Sequence, residues 1–150
     1  FATTTTTADP GGSGGSGTPT TAAAAATGSA SADHMALGRA AIDKSDWTTA
    51  ITEFTAAVAA TPKNADAYNL LAYSYRKSGN LTKAFGNYAV ALKLDPKHRG
   101  ALEYQGEAYV ESGQIAKAKA NLTKLGTICG KKCEQYVDLA AAIAKATKKK

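Results

Sequence analysis

Apolar and polar positions follow a helical period over most of this chain. Tyr68, Leu71, Ala72 and Tyr75 recur three or four residues apart, a spacing that places side chains on one face of an α-helix. Gly79 follows, and the apolar period then resumes. Because a glycine at a helix C-terminus readily adopts the left-handed conformation, this position ends one helix and turns the chain. The pattern therefore predicts an all-α protein built from helix pairs with tight turns.

The pattern repeats every 34 residues along the chain. The matching positions are Leu37 and Leu71, Pro62 and Pro96, Tyr75 and Tyr109, and Gly79 and Gly113. Internal repetition at such a period is typical of helical solenoids, in which each unit packs on its neighbours. We therefore expect three units, at about residues 31–64, 65–98 and 99–132.

Small residues occupy equivalent positions in all three units. They form two series, Ala50, Ala84 and Ala118 on one hand and Gly38, Ala72 and Gly106 on the other. Packed helices approach most closely where their side chains are small. We therefore expect both series at helix–helix contacts, with larger residues such as Phe54 and Tyr88 filling the space around them.

These positions resemble the signature of the tetratricopeptide repeat family. The second unit is similar to that signature through Tyr68-x2-Leu71-Ala72-x2-Tyr75, Ala84-x3-Tyr88 and Pro96. The first unit has Ala41 where the family has tyrosine, and the third has Gln105 for leucine and Gly130 for proline. The resemblance covers about residues 31–132. It implies a right-handed solenoid of about three helix-turn-helix repeats.

The segments on either side of the repeats differ in character. Residues 133–147 place Tyr136, Leu139, Ala140 and Ile143 on one helical face, and we expect a capping helix there, because the end of a repeat stack must be covered. Residues 148–150 form a basic tail. Residues 1–30 are rich in Thr, Gly, Ser and Ala and cannot bury enough apolar area to offset their ordering entropy. They are predicted to be a low-complexity tail or linker.

The formal net charge of +6 lies at the C-terminal end, where nine lysines and two acids follow Ala116. Such a region suits an anionic partner, but it also describes an ordinary solvated helix face. The chain has only three arginines, the residue type that best reads phosphates and base edges, so we do not expect nucleic-acid binding. No stretch approaches the ~20 apolar residues that span a bilayer, so no transmembrane segment is expected.

The first residue, Phe1, is not methionine. Removal of a secretory signal explains such a start most simply, although a cleaved tag or a truncation would give the same result. The ending Cys129-x3-Cys133-x2-Tyr136 is also similar to that of small exported bacterial repeat proteins. We therefore expect a periplasmic or extracellular protein whose signal peptide has been removed.

The two cysteines, Cys129 and Cys133, flank the junction between the last repeat and the capping helix. A disulfide between them would close a very short loop and would mainly fix the angle of the cap. A redox-active pair is the alternative, because the two intervening lysines favour a thiolate. A structural zinc site usually needs four ligands, and both histidines lie at the starts of distant helices. We expect no metal and no cofactor.

The resemblance implies that the first helix of each repeat lines a concave groove. The repeat period predicts three rows of side chains there: Met35, Asn69 and Glu103; Arg39, Tyr73 and Glu107; Asp43, Lys77 and Glu111. The three glutamates form a stripe, and like charges at this spacing destabilise a helix by about 0.2–0.5 kcal/mol per pair. Lys77, beside Glu111 and Asp43, would offset this repulsion. Alternatively, the stripe receives a basic or amine-bearing segment, with Tyr73 and Tyr104 as apolar contacts.

The resemblance also implies a non-enzymatic interaction or assembly module that binds a peptide or protein segment. The candidate groove residues are Arg39, Asn69, Tyr73, Lys77, Glu103, Tyr104, Glu107 and Glu111. Family members that bind C-terminal carboxylates use Lys and Asn on these faces. The glutamates here oppose an anionic end, so we do not expect that specificity. Two alternatives remain: a structural subunit of a homo-oligomer or extracellular filament with the N-terminal tail as connector, and a redox helper that uses the cysteine pair.

Overall fold

The computed structural model describes residues 20–148, and this part of the chain folds into seven α-helices without a strand. The helices are α1 (Thr20–Asp43), α2 (Trp47–Ala60), α3 (Ala65–Lys77), α4 (Leu81–Leu94), α5 (Arg99–Glu111), α6 (Ile115–Cys129) and α7 (Glu134–Thr147). The predicted all-α class, with three helix pairs and a final capping helix, is confirmed. No helix in the described range is both long and apolar enough to cross a membrane.

Each helix packs on the next one along the chain, and α7 packs on both α5 and α6. Helix α3 also contacts α5 directly, as α5 contacts α7, whereas α2, α4 and α6 are not joined in this way within the described residues. Helices α3, α5 and α7 therefore form a closely spaced inner row. Helix α1 lies on the same side, since its Arg39 and Asp43 line a pocket together with Tyr73 of α3. The tighter spacing makes the inner row the concave side of the solenoid.

The turn inside each helix pair holds one residue in the left-handed region. These residues are Ser45 with φ 55°, Gly79 with φ 91° and Gly113 with φ 78°. They lie at the predicted turn positions, one repeat period apart. Glycine adopts this conformation at little cost, so the two glycines are suited to the turn, and the serine is the exception.

The predicted small-residue contacts are confirmed. A Cβ atom at Gly38 would lie 2.5 Å from the Phe54 ring, and one at Gly106 would lie 2.6 Å from the Leu139 side chain. Either contact is closer than carbon atoms can approach, so a large residue packs directly against backbone at both places. The alanines of the other series are fully buried: Ala50, Ala84 and Ala118.

The core is divided into three clusters along the solenoid. Phe54 is fully buried at the first repeat, Tyr88 in the middle, and Leu102 with Leu125 and Leu139 near the cap. Full burial of one large apolar side chain stabilises a protein by about 1.5–3 kcal/mol. Each repeat thus depends on the next one to cover its apolar face.

Helix α1 begins earlier than the predicted boundary at residue 31. It starts at Thr20 and includes the run Ala22–Ala26, and alanine has the highest helix propensity. Residues 28–30 are exposed and Ser31 is buried, with its hydroxyl 2.6 Å from that of Thr61. The helix therefore begins 11 residues before the predicted start of the first repeat. Residues 1–19, which contain most of the predicted tail, and residues 149–150 lie outside the described residues.

Helix α7 covers the C-terminal end of the stack. Leu139 and Ile143 are buried, and Tyr136 packs beside them. Cys129 and Cys133 are paired as a disulfide, with their Cα atoms 5.9 Å apart. The bond joins the last residue of α6 to the residue before α7, and so it links the cap covalently to the third repeat.

Candidate functional site

A row of aromatic side chains lies on the groove side, with Trp47 at the start of α2, Tyr73 on α3 and Tyr104 on α5. The ring centroids of Trp47 and Tyr73 are 6.0 Å apart, and those of Tyr73 and Tyr104 are 4.8 Å apart. All three side chains are half-buried, so each offers part of its ring to solvent. This aromatic row borders a pocket of ≈ 320 Å³ that Arg39, Ile42, Asp43, Leu70, Tyr73 and Tyr104 line.

Arg76 lies behind the aromatic row and is only 8% exposed. Its guanidinium carbon is 5.4 Å from the ring centre of Tyr73 and 5.8 Å from that of Tyr104. Its Nη1 lies 2.8 Å from a carboxylate oxygen of Glu107 and 3.0 Å from one of Glu111. Two of the three striped glutamates therefore have a buried cationic partner.

The prediction that Lys77 offsets the charge of the glutamate stripe is wrong. Lys77 makes none of the ion pairs found among the described residues, and its Nζ lies 6.0 Å from the ring centres of both Trp47 and Tyr73. The 34-residue register assumes that equivalent positions of α3 and α5 face each other. Arg76, one residue earlier and three after Tyr73, is on the side of α3 that faces α5.

A second pocket, of ≈ 380 Å³, adjoins the first and shares Arg39, Leu70 and Tyr104 with it. We call it the acidic pocket, because four of its lining residues are carboxylic acids and one is an arginine. The lining residues come from α1, α3, α5 and α7, and they are Arg39, Asp66, Asn69, Leu70, Gly100, Glu103, Tyr104, Glu134, Gln135 and Asp138.

Two buried polar side chains lie in the wall of the acidic pocket. Glu103 is 7% exposed and Asn69 is 5% exposed. Burial raises the pKa of Glu103 to about 8, the carboxylates of Glu107, Asp138 and Glu134 add to this effect, and Arg76 opposes it. The Oδ1 atom of Asn69 is buried without a hydrogen-bond partner, and Glu103 is in none of the ion pairs between described residues.

The eight predicted groove residues all lie on the inner helices α1, α3 and α5. The structure divides them into four groups. Arg39, Asn69, Glu103 and Tyr104 line the acidic pocket, Tyr73 is central in the aromatic row, Glu107 and Glu111 bind Arg76, and Lys77 lies over two aromatic rings. Their role in binding stays a prediction.

The residues of this surface that were not predicted from the sequence include Trp47, Arg76, Glu134 and Asp138. Of these four, two did leave a signal in the sequence. Glu134 and Asp138 have the same four-residue spacing as Glu103 and Glu107, which indicates a second acidic stripe on the capping helix. No comparable signal marked Trp47, because the first residue of an outer helix is not expected to reach the inner face.

Neither histidine belongs to a metal site. His34 pairs with Glu53 at 2.7 Å, and His98 pairs with Asp66 while its Nδ1 accepts a hydrogen bond from the backbone N–H of Ala101. Among residues 20–148, no three His, Cys, Asp or Glu side chains are grouped so that they could hold a metal ion.

Residues 35–99 match the family model described as tetratricopeptide repeat. This segment begins within α1 and ends at the start of α5, so it contains the helix pair α3 and α4 in full. The fold is that of the tetratricopeptide repeat. Helices α1 to α6 form three such repeats, and α7 caps the last of them. No curated protein sequence is significantly similar to the chain.

Solved tetratricopeptide repeat domains have the same fold at low sequence identity. The TPR2B domain of yeast Sti1, in its complex with pHsp70, is 20% identical with a TM-score of 0.72, and the match covers 81% of this chain and 98% of that one. The TPR domain of Arabidopsis OM64 is 19% identical with a TM-score of 0.73, over 83% and 99%. The second TPR domain of human RPAP3, in complex with the HSP70 peptide SGPTIEEVD, is 19% identical with a TM-score of 0.71, over 81% and 98%.

Proposed function

We propose that this protein is a non-enzymatic interaction module that binds a peptide or protein segment in its concave groove. The observation that supports this most directly is the aromatic row of Trp47, Tyr73 and Tyr104, with two pockets beside it. A concave, apolar surface with a few polar groups is the usual form of a preformed binding site. Peptide and chaperone ligands in the Sti1 and RPAP3 structures are consistent with this use of the fold.

We further propose that the bound segment is basic or amine-bearing. The HSP70 peptide of the RPAP3 complex contains the acidic sequence EEVD. The groove of this protein instead presents carboxylates from α3, α5 and α7 around the acidic pocket. Juxtaposed like charges at an interface cost several kcal/mol, so an acidic peptide end would be repelled here.

A periplasmic or extracellular location fits the cysteine pair. Disulfides persist in oxidising compartments and are rare where thiols are kept reduced. The bond between Cys129 and Cys133 links two helices of the solenoid, so an oxidising environment would help to hold the cap in place.

Selection of a phage-displayed random peptide library on the full chain tests the proposed function. We expect enrichment of peptides that combine lysine or arginine with apolar residues. The substitution Tyr73→Ala should weaken a selected peptide at least about tenfold, because truncation of a central aromatic contact typically costs ~2 kcal/mol or more. Fluorescence anisotropy with a labelled selected peptide measures this change.

Tyr136→Ala is the matched control for this experiment. Tyr136 lines a separate pocket between α6 and α7, away from the aromatic row. It should leave the affinity within about twofold of wild type, since it lies outside the proposed contact surface. Equal weakening by both substitutions, or no change with Tyr73→Ala, would place the binding site elsewhere.

The substitution Asp43→Lys tests the proposed preference of the groove for a basic segment. Asp43 is exposed, lines the pocket beside the aromatic row and makes no ion pair within the described residues. Its reversal should weaken a basic peptide, whereas Asp33→Lys on the same helix should not. Glu107→Lys is a poorer probe, because it would remove one of the two carboxylate partners of the buried Arg76 and place a second cation beside it, and breaking a buried pair costs about 3–5 kcal/mol.

A further inference from the structure

We propose that the acidic pocket binds one primary ammonium group, on a lysine side chain or a free amino terminus of the segment in the groove. This inference rests on the function proposed above and adds the chemical class of one anchoring group. It concerns the end of the groove at α7, where the aromatic row ends and the carboxylates converge.

The first observation is an unpartnered acceptor. Asn69 is 5% exposed, yet its Oδ1 atom has no hydrogen-bond partner among the described residues. A buried polar atom without a partner destabilises the folded protein, because it has lost its hydrogen bonds to water. Asn69 lies in the wall of the pocket, so a rotation of its side chain would bring this oxygen to a donor on a bound ligand. The missing partner leaves one acceptor in the wall available to such a donor.

The second observation is the charge around that acceptor. Asp66, Glu103, Glu134 and Asp138 line the same pocket, against one arginine, Arg39. Asp66 is paired with His98, but neither Glu103 nor the two acids of α7 make an ion pair within the described residues. Glu134 and Asp138 thus place uncompensated negative charge in the pocket that contains the unpartnered oxygen, and a cationic donor matches both.

The shape of the pocket favours a cation on an extended apolar stem. Leu70 and Tyr104 belong to both the acidic pocket and the pocket beside the aromatic row. A lysine side chain can lay its four-carbon stem along apolar surface and extend its charged head into a polar environment. With the stem on Leu70 and Tyr104, the head would reach the side of the pocket that contains Asn69 and Glu103.

An ammonium group fits these acceptors better than a metal ion or a guanidinium. The described residues contain no group of His, Cys, Asp or Glu that could hold a metal ion. An ammonium has three donors on a single compact atom, which suits acceptors that come from α3, α5 and α7. A guanidinium is planar and is best matched by two oxygens of one carboxylate.

The protonation of Glu103 couples ligand binding to pH. Charged and titratable side chains from four helices and one loop surround its carboxyl group. They are Arg39 from α1, Asp66 and Arg76 from α3, His98 before α5, Glu107 from α5, and Glu134 and Asp138 from α7. Because burial and the nearby carboxylates raise its pKa to about 8, Glu103 is mostly protonated at neutral pH in the free protein. A bound ammonium favours the carboxylate, so binding releases a proton and strengthens as the pH rises towards about 8.

Titration of the full chain with hexylammonium, followed by ¹H–¹⁵N NMR, tests this inference. Hexan-1-ol is the neutral probe of matched length. We expect saturable shifts of the Asn69 side-chain amide and the Gly100 backbone amide with hexylammonium only. Glu103→Gln should weaken this binding at least about tenfold, since loss of one member of a buried charge pair typically costs 2 kcal/mol or more. Asp33→Asn, which removes the same charge outside the pocket, should have no effect.

The pH profile separates a direct role of Glu103 from a structural one. Hexylammonium should bind wild-type protein about tenfold or more tightly at pH 8 than at pH 6, and this dependence should be lost in Glu103→Gln. Equal shifts with hexan-1-ol, or hexylammonium affinity that is unchanged in Glu103→Gln, would overturn the proposal. Asp138→Asn gives a second test, at an exposed residue of the pocket. If this variant binds hexylammonium as tightly as wild type, that result would also count against the proposal.

Two further probes distinguish the sources of the ammonium group. Nα-acetyl-lysine methylamide has only the side-chain amine, and alanine methylamide has only the terminal amine. Binding of the first alone assigns the pocket to a lysine side chain, binding of the second alone assigns it to an amino terminus, and binding of neither overturns the proposal.

Failure of this inference can be told apart from failure of the proposed function. Selected peptides that need Tyr73 but bind Glu103→Gln as tightly as wild type would leave the groove as a peptide site and remove the ammonium pocket. Hexylammonium binding that needs Glu103, in a protein that selects no peptide, would leave the pocket and remove the peptide function.

Discussion

At the scale of single residues, the repeat determines backbone conformation more strictly than side-chain identity. Ser45, Gly79 and Gly113 occupy one position of the three repeats, and all three have positive φ. A residue with a Cβ atom pays roughly 1–2 kcal/mol for this conformation, and glycine does not. The first repeat therefore retains local strain that the other two avoid.

We predict that Ser45→Gly stabilises the protein by about 0.5–1 kcal/mol, because the relief of strain exceeds the extra entropy that glycine loses on folding. The reciprocal change Gly79→Ser should destabilise it by a similar amount. Urea unfolding followed by circular dichroism measures both. Ser78→Gly, at a residue with φ −82°, should give no gain, and a gain there equal to that of Ser45→Gly would contradict the explanation.

At the scale of helices, the residue after each turn decides how well the outer helix begins. The carboxylate of Asp46 accepts a hydrogen bond from the backbone N–H of Thr49, and the side chain of Asn80 does the same with that of Lys83, both at 3.1 Å. Gln114, at the same position before α6, makes no such bond. Its longer side chain instead donates to Ser112. Helix α6 therefore begins without a side-chain cap.

We predict that Gln114→Asn stabilises the protein by about 1 kcal/mol, because an N-cap side chain typically contributes 0.5–2 kcal/mol. Asn80→Gln should destabilise it by a comparable amount. Thermal unfolding by calorimetry measures the two changes. If Gln114→Asn leaves the melting temperature unchanged while Asn80→Gln lowers it, the start of α6 is not limited by its cap.

Prediction from the sequence succeeded best at this scale. Helical spacing and the turn signals located α2 to α7, since both depend on residues that are close in the chain. The start of α1 was missed because the composition of residues 1–30 as a whole indicates a linker, whereas Ala22–Ala26 alone favours a helix. An average over a long segment hides a short helical run.

At the scale of the whole molecule, the capping helix completes the candidate site. Close packing of Leu139 on Gly106 brings α7 against α5. The same contact places Glu134 and Asp138 beside Glu103, where the three acids line one pocket. Helix α7 therefore covers the end of the repeat stack and also makes the environment of Glu103 more acidic.

We predict that Glu103 makes stability depend on pH on the alkaline side. Its pKa is raised in the folded protein from an ordinary 4.5 to about 8, so the folded state binds more protons than the unfolded state between these values. The stability that this proton contributes is complete below about pH 4.5 and is lost as the pH rises through about 8. The cause is first the burial of the carboxyl group and then the nearby carboxylates.

Comparison of wild type with Glu103→Gln isolates this effect from other titrating groups. At pH 4 the two should be nearly equally stable, and at pH 9 the variant should be more stable by more than about 1 kcal/mol. Urea unfolding at both pH values measures the difference. A difference that does not change with pH would show that folding does not raise the pKa of Glu103.

The sequence by itself determined the helices, the turns, the repeat period and the positions where small residues allow close packing. All of these follow from spacings within about 34 residues, which the chain encodes directly. It also placed the glutamate stripe on the inner face. These features need no knowledge of how the helices cross.

Only the tertiary structure decided which charges meet and which are buried. It paired the stripe with Arg76 instead of Lys77, left the amide oxygen of Asn69 without a partner, and brought two acids of α7 to Glu103. The physical reason is that burial and ion pairing depend on helix crossing and on the reach of long side chains. A shift of one residue in the chain can turn such a side chain towards a different neighbour.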